Sequence, residues 1–192
     1  EDLLDDDSES IITNERYMCL LDAVDDIKYK AMFVTMYSSG MRVSEVIHLH
    51  YDDISRTNMQ IHVRDTKNRM DRYTILSQRC LDLLTEYWFA KGRPRGILFP
   101  NQFTGSYLSV GTLEKVMRRA VSDAKIPVKA TPHSLRHSFA THLMEQGVER
   151  QYIQALLGHR DPKSTEIYLH VSNKSLLGIQ SPFDRKEGAG HE

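Results

Sequence analysis

Five of the nine histidines, His133, His137, His142, His159 and His170, fall between residues 133 and 170. The first chemistry such a cluster raises is metal binding. His133 and His137 stand four apart, which on a helix puts both rings on one face, the spacing used by zinc peptidases. Between them are Ser134, Leu135 and Arg136, so no glutamate is available as a base. At about 100° per residue Arg136 lies on the same side, a guanidinium where a dication would have to sit. His142 points the other way, beside Leu135, Phe139 and Leu143. The pattern speaks against zinc, and no metal or other cofactor is expected. An arginine between two histidines suits an anion instead. Thr131-Pro132 opens this helix, and at a helix N-terminus free N–H groups and the macrodipole favour a phosphate. Taken alone, His133 and Arg136 are ordinary surface residues more often than ligands.

The elements that must carry these side chains are mostly helical. Thr13 caps a first helix whose Tyr17, Leu20, Leu21 and Val24 share a face. A second covers about 27–38 and ends at Ser38-Ser39-Gly40, where Gly40 permits a sharp corner. A short helix follows from Met41 or Arg42 to about His50. The period then changes to two: Met59, Ile61 and Val63 alternate with polar residues, as do Tyr73 and Ile75. These predict two antiparallel strands around the polar connection Arg64–Arg72, with a third strand near Tyr51–Ile54. Helices resume with Ser77 as a cap, and the stretch 110–125 carries Leu113, Val116, Met117, Ala120, Val121 and Ala124 on one face. Gly147 closes the helix opened by Pro132, Gly158 closes the next, and Asp161-Pro162 opens a further one. The expected fold class is mainly α (α+β): a helical domain with a small three-stranded antiparallel sheet.

Three segments, in order, resemble the motifs of one family. PHSLRHSFATHLMEQGVERQYIQALLGHRDPKSTEIYLHV resembles the C-terminal active-site box of the tyrosine recombinases, the phage-integrase and Xer-like family. MYSSGMRVSEVIHLHYDDI resembles its first box, and RDTKNRMDRYTIL is similar to its β-hairpin with a catalytic lysine. Together they span about residues 13–172. The resemblance implies Arg42 as the first active-site arginine and Glu45 as the acidic residue that follows it, orienting Arg42. It implies Lys67 as the hairpin lysine, His133 and Arg136 as the His-x-x-Arg pair, His159 as the histidine of the Leu-Gly-His turn, and Tyr168 as the nucleophile. All six catalytic positions hold the usual residue type. Asp65-Thr66 and Ile75-Leu76 depart from the Gly-rich lead-in and the Pro-Leu that often flank the family's hairpin lysine.

Chemistry gives these residue types a reason. A tyrosine with a free pKa near ~10 is a weak nucleophile at neutral pH and needs a base or a strong local field. Two planar guanidinium forks on the non-bridging oxygens would offset the charge of a pentavalent transition state. Lys67 would protonate the leaving 5′ oxygen, His133 would act as general base, and His159 would donate a hydrogen bond to the phosphate. Because one ester replaces another, strand joining would need no ATP. Each residue also has a plainer reading: Tyr168 as packing, and Lys67, Arg64, Arg69 and Arg72 as a solvated basic turn. Arg69, together with Lys115, Arg118 and Arg119 on the 110–125 helix, is a candidate contact to the DNA backbone; a polar face in water is the equal alternative for the helix.

Charge is consistent with this. Lys+Arg 25 against Asp+Glu 26 gives a formal net charge of −1. Six of the acids lie in residues 1–10, which leaves 25 bases against 20 acids in residues 11–192. A mildly basic body suits nucleic acid, and a globally basic histone-like chain is excluded. No apolar run approaches the ~18 residues of a membrane span. Cys19 and Cys80 form no disulfide framework and suit a reducing cytoplasm. The expected organisation is an acidic disordered tail or linker stump at 1–12, a catalytic domain at 13–172, and 173–192 as a C-terminal segment. That segment would be a protomer-docking helix around Leu176, Leu177 and Ile179, or a helix packed on its own domain, followed by a disordered tail. Relatives usually add an N-terminal helical domain with no counterpart here, so the chain reads as an isolated catalytic domain.

The implied function is a site-specific DNA recombinase of the integrase or transposase type. Its partner would be double-stranded DNA, with a tetramer in the synaptic complex and a monomer when free. A type IB topoisomerase, a non-catalytic DNA-binding regulator on the same scaffold, and a histidine-based metallohydrolase are the competing readings.

Overall fold

The computed structural model describes residues 11–64, 71–127, 129–158 and 178–185. Seven helices and three strands lie among them: α1 (Asn14–Asp22), α2 (Ile27–Ser39), α3 (Val43–Ile47), β1 (Ile54–Ser55), β2 (Gln60–Val63), β3 (Arg72–Ile75), α4 (Gln78–Ala90), α5 (Val110–Asp123), α6 (Pro132–Glu145) and α7 (Arg150–Leu157). The strands pair antiparallel in the order β1-β2-β3. The fold is therefore mainly helical with a small antiparallel sheet, as its periodicities predict.

α2 is the central post. It packs against α1, α3, α4, α6 and β3, and Ala31 to Ser39 are all buried. A helix apolar on every side belongs in the interior. Thr35 and Ser39 turn their hydroxyls to backbone: Thr35 Oγ1 donates to the carbonyl of Ala31 at 2.8 Å, and Ser39 Oγ to that of Thr35. Local capping sets the other starts. Thr13, Asp26, Ser77, Ser109 and Thr131 each accept a backbone N–H of the first turn that follows.

Four expectations are corrected. The acidic tail does not extend to residue 12: Ile12 is fully buried, and its N–H donates to Ser138 Oγ at 2.9 Å. Residues 51–53 form a 3₁₀ turn, not a strand, because the Asp53 carboxylate accepts the His50 N–H at 2.9 Å and curls the chain; strand β1 starts only at Ile54. The short helix expected to reach about His50 ends at Ile47. In β3 the inward face is not Tyr73 and Ile75 alone. Tyr73 is 43% exposed and stacks on His62, whereas Thr74 is buried and donates to the carbonyl of Ser39 at 2.7 Å. The end of α2 needs donors, so the polar face of β3 turns toward it.

The C-terminal part also departs from expectation. Residues 178–185 are seated on the same chain, and a 3₁₀ turn at Pro182–Asp184 packs on α2, α4 and α6. Phe183 is buried edge-on to Tyr17 and Tyr37, with the Arg79 guanidinium 4.1 Å from its ring centre. Leu176 and Leu177 lie outside the described residues, while Ile179 packs on the cluster of Phe139, Leu143 and Leu157. Among the described residues, no helix is long and apolar enough to cross a membrane.

Candidate active site

Two helices end at the same place, and their ends need hydrogen-bond donors. The last carbonyls of an α-helix have no partner within it. For α2 these are supplied from three directions: Ser181 Oγ donates to Ser38, Thr74 Oγ1 to Ser39, and Arg136 Nη1 to Gly40. For α7, Arg72 Nε donates to Leu156 at 3.0 Å and Arg136 Nη2 to Leu157 at 2.7 Å. Arg136 thus bridges both helix ends, a placement the macrodipoles favour for a cation.

The turn at Gly40 makes this approach possible. Its φ is +66°, and a Cβ there would lie 2.5 Å from Phe139 Cδ1 and 2.8 Å from Leu157 Cδ2. Only glycine satisfies both the backbone and the space. Beyond it Met41 is buried, and Arg42 emerges as the N-cap residue of α3 with its side chain 46% exposed. Glu45, one helical turn on, accepts from the Arg42 backbone N–H at 2.7 Å and from Arg42 Nη1 at 3.1 Å. The same carboxylate accepts both Nη groups of Arg72, at 2.7 and 2.9 Å.

The electrostatics follow from this crowding. Burial alone would raise the Glu45 pKa, but hydrogen bonds and charge from Arg72, the Arg42 N–H and the charge of Arg136 more than offset it and hold it below 4.5. Arg136 is 1% exposed. Desolvation first, then the neighbouring charges of Arg42 and Arg72, push its pKa down to about 9, against the opposing pull of Glu45. Among the described residues, Arg42 and Arg72 bond the Glu45 carboxylate directly and Arg136 feels its charge from nearby, so three guanidinium groups gather around one carboxylate. Holding a charged group out of water costs several kcal/mol unless it is paired.

His133 is the second residue of α6, exposed beside the Thr131 cap, three residues before Arg136. His137 is buried, and His142 sits elsewhere, its Nδ1 2.8 Å from Tyr37 Oη. Burial lowers the His142 pKa, which keeps that ring neutral. Among the described residues, no group of three or more His, Cys, Asp or Glu is gathered as a metal site would require. Lys115, Arg118 and Arg119 are exposed on α5, with Arg119 paired to Asp123 at 3.5 Å. Lys67, Arg69, His159 and Tyr168 lie outside the described residues. So the structure brings Arg42, Glu45 and Arg136 together. Arg72 joins them as a residue given no role on sequence grounds. Its signal was its register: Arg72 pairs with Val63 and Thr74 with Ile61, both inward-facing partners on β2.

The phage integrase family matches residues 2–175. The chain belongs to the phage integrase family. Similar members are tyrosine recombinases. One is the tyrosine recombinase XerC of Halalkalibacterium halodurans, 33% identical over 186 residues, covering 88% of this chain and 60% of that protein. Another is the tyrosine recombinase XerD of Lacticaseibacillus casei, 34% identical over 160 residues, covering 80% of this chain and 54% of that one. The chain thus spans little more than half the length of these integrase-family relatives. In solved structures the fold is similar to XerA recombinase, with a TM-score of 0.73 and 28% identity over 86% of this chain and 60% of that one. It is also similar to the XerH site-specific recombinase bound to difH substrate before cleavage, with a TM-score of 0.70 and 26% identity over 87% of this chain and 52% of XerH.

Proposed function

We propose that this integrase-family protein is a site-specific DNA recombinase that cuts and rejoins strands through a 3′-phosphotyrosyl intermediate on Tyr168. The observation that carries the reading is the positive charge gathered at the joined ends of α2 and α7, where, among the described residues, Arg42, Arg72 and Arg136 surround the carboxylate of Glu45. A scissile phosphate brings further negative charge to it. Arg136 donates two of its five N–H groups to backbone carbonyls, so its plane is fixed before the phosphate arrives. Arg42, half exposed at the mouth, would close on the second non-bridging oxygen.

In this scheme the Tyr168 oxygen attacks phosphorus in line as His133 takes the phenolic proton. The bond to the 5′ oxygen breaks, and Lys67 supplies the proton that makes it a hydroxyl. A different 5′-hydroxyl then attacks the phosphotyrosine, which restores the diester and frees Tyr168. The number of ester bonds is unchanged throughout, so no ATP is consumed. The partner is double-stranded DNA, and exchange between two duplexes calls for four protomers in the synapse. Cytoplasmic residence accords with such a substrate.

The test is covalent capture on a nicked suicide substrate that releases its 5′ fragment. Wild type should form a 3′ adduct of the expected mass, and Tyr168→Phe should form none while binding the same DNA. An adduct in the Phe variant would assign the nucleophile elsewhere.

A further inference from the structure

Arg72 begins β3, five residues beyond Lys67, and beyond its charge takes no step in the scheme above. Its side chain is 14% exposed, and all three of its nitrogens are engaged. Nη1 and Nη2 take the two oxygens of Glu45, and Nε takes the Leu156 carbonyl. A group with its Nε and one N–H of each Nη so occupied determines where its neighbours lie. A bidentate fork fixes the plane of a carboxylate as well as its charge. That carboxylate in turn holds Arg42 at its backbone N–H and at Nη1. The aliphatic stem of Arg72 runs along Gly158: a Cβ on Gly158 would fall 2.8 Å from Arg72 Cδ and 3.0 Å from Nε. Gly158, with φ +68°, is the residue before His159.

We propose that Arg72 is a positioning residue of the active site, orienting Arg42 through Glu45 and fastening the strand that follows Lys67 to the end of α7 that leads into His159. This rests on the recombinase reading above. The geometry gives Arg42, the start of β3 and the end of α7 a common anchor. A lysine at 72 keeps the charge but holds the carboxylate as a point, without the planar fork and without the Nε bond to Leu156.

The experiment measures single-turnover adduct formation on the suicide substrate for wild type, Arg72→Lys, Arg72→Met, Glu45→Gln and the Arg72→Lys/Glu45→Gln double variant. DNA binding and thermal melting are recorded for each. Arg72→Lys should bind DNA within about threefold of wild type and cleave roughly 10–100-fold more slowly, the scale of a displaced catalytic group. Arg72→Met should cleave more slowly still, with the acid limb of its rate profile moved to higher pH because Glu45 loses its main cationic partner. The double variant should be no slower than the slower single, since both act through one contact. A wild-type rate in Arg72→Lys overturns the proposal, as does a double variant equal to the product of the singles. So does a rate loss in every Arg72 variant that vanishes once each is assayed well below its own melting temperature. If Arg72→Lys does not fold, the Glu45→Gln rate decides: a value equal to wild type overturns the chain from Arg72 to Arg42. Wild type forming no adduct would instead overturn the recombinase reading, and this inference with it.

Discussion

Arg136 is asked to do two things at once: cap two helices and await an anion. Its pKa of about 9 in the empty site makes the second role measurable. A bound phosphate restores the proton affinity that burial and the neighbouring arginines removed. Below pH 9 Arg136 already carries its proton, and binding is pH-independent on its account. Above pH 9 the phosphate must bring the proton back, so affinity for cognate DNA should fall about fivefold between pH 9 and 10. Fluorescence anisotropy at those pH values checks this, and a flat profile would show that Arg136 keeps its proton in the empty site. Gly40 supplies a second expectation at this scale. Gly40→Ala must accept a positive φ and push into Phe139 and Leu157. It should lose about 2–4 kcal/mol in urea denaturation, beyond the usual cost of strain at one residue.

These residues were unequally legible before the structure. Arg42 and Arg136 stand out because they sit in motifs with punctuation, a Gly turn before one and a Thr-Pro helix start before the other. Arg72 does not, because a sequence shows a crowded basic hairpin but not which arginine turns inward. That choice depends on strand register and on the unfilled carbonyls of helices far away in the chain. Tyr73 misled for the same reason: an aromatic in an alternating run reads as core, yet it lies on the outer face against His62.

At the scale of elements, helix starts were the most readable feature, since α1, α2, α4, α5 and α6 each carry a side-chain cap next to their first residue. Long-range caps left no such trace. The N-terminus of α4 is closed locally by Ser77 and also by Asp184, whose carboxylate accepts the N–H groups of Gln78 and Arg79 at 2.9 and 3.1 Å. Nothing near residue 78 announces a partner more than a hundred residues away. Asp184→Ala should cost about 1 kcal/mol, the ordinary value of an N-cap. Phe183→Ala should cost about 3 kcal/mol, because it empties a buried aromatic site. Both are read from urea denaturation midpoints, and an Asp184→Ala midpoint equal to wild type would show that the turn adds nothing to α4.

Across the whole molecule, charge is divided between an acidic opening decapeptide and a basic remainder. DNA binding should therefore weaken steeply with salt, as bound phosphates release their counterions. Lys115→Ala and Arg118→Ala should each lower the slope of log K against log salt by about 1 if the α5 face tracks the backbone. Both side chains are exposed, so stability should stay within about 0.5 kcal/mol of wild type. An unchanged slope would return that face to solvent. The seat of Phe183 and Asp184 on α2 and α4 bears on how the protein is made as well as on how it stands. Synthesis delivers residue 78 more than a hundred residues before residue 184, so a growing chain carries α4 with its first turn half-closed until that partner arrives. The seat closes only once residues 183 and 184 have left the ribosome, and a stop codon before position 183 would release a domain in which α4 keeps Ser77 as its cap but lacks the second one.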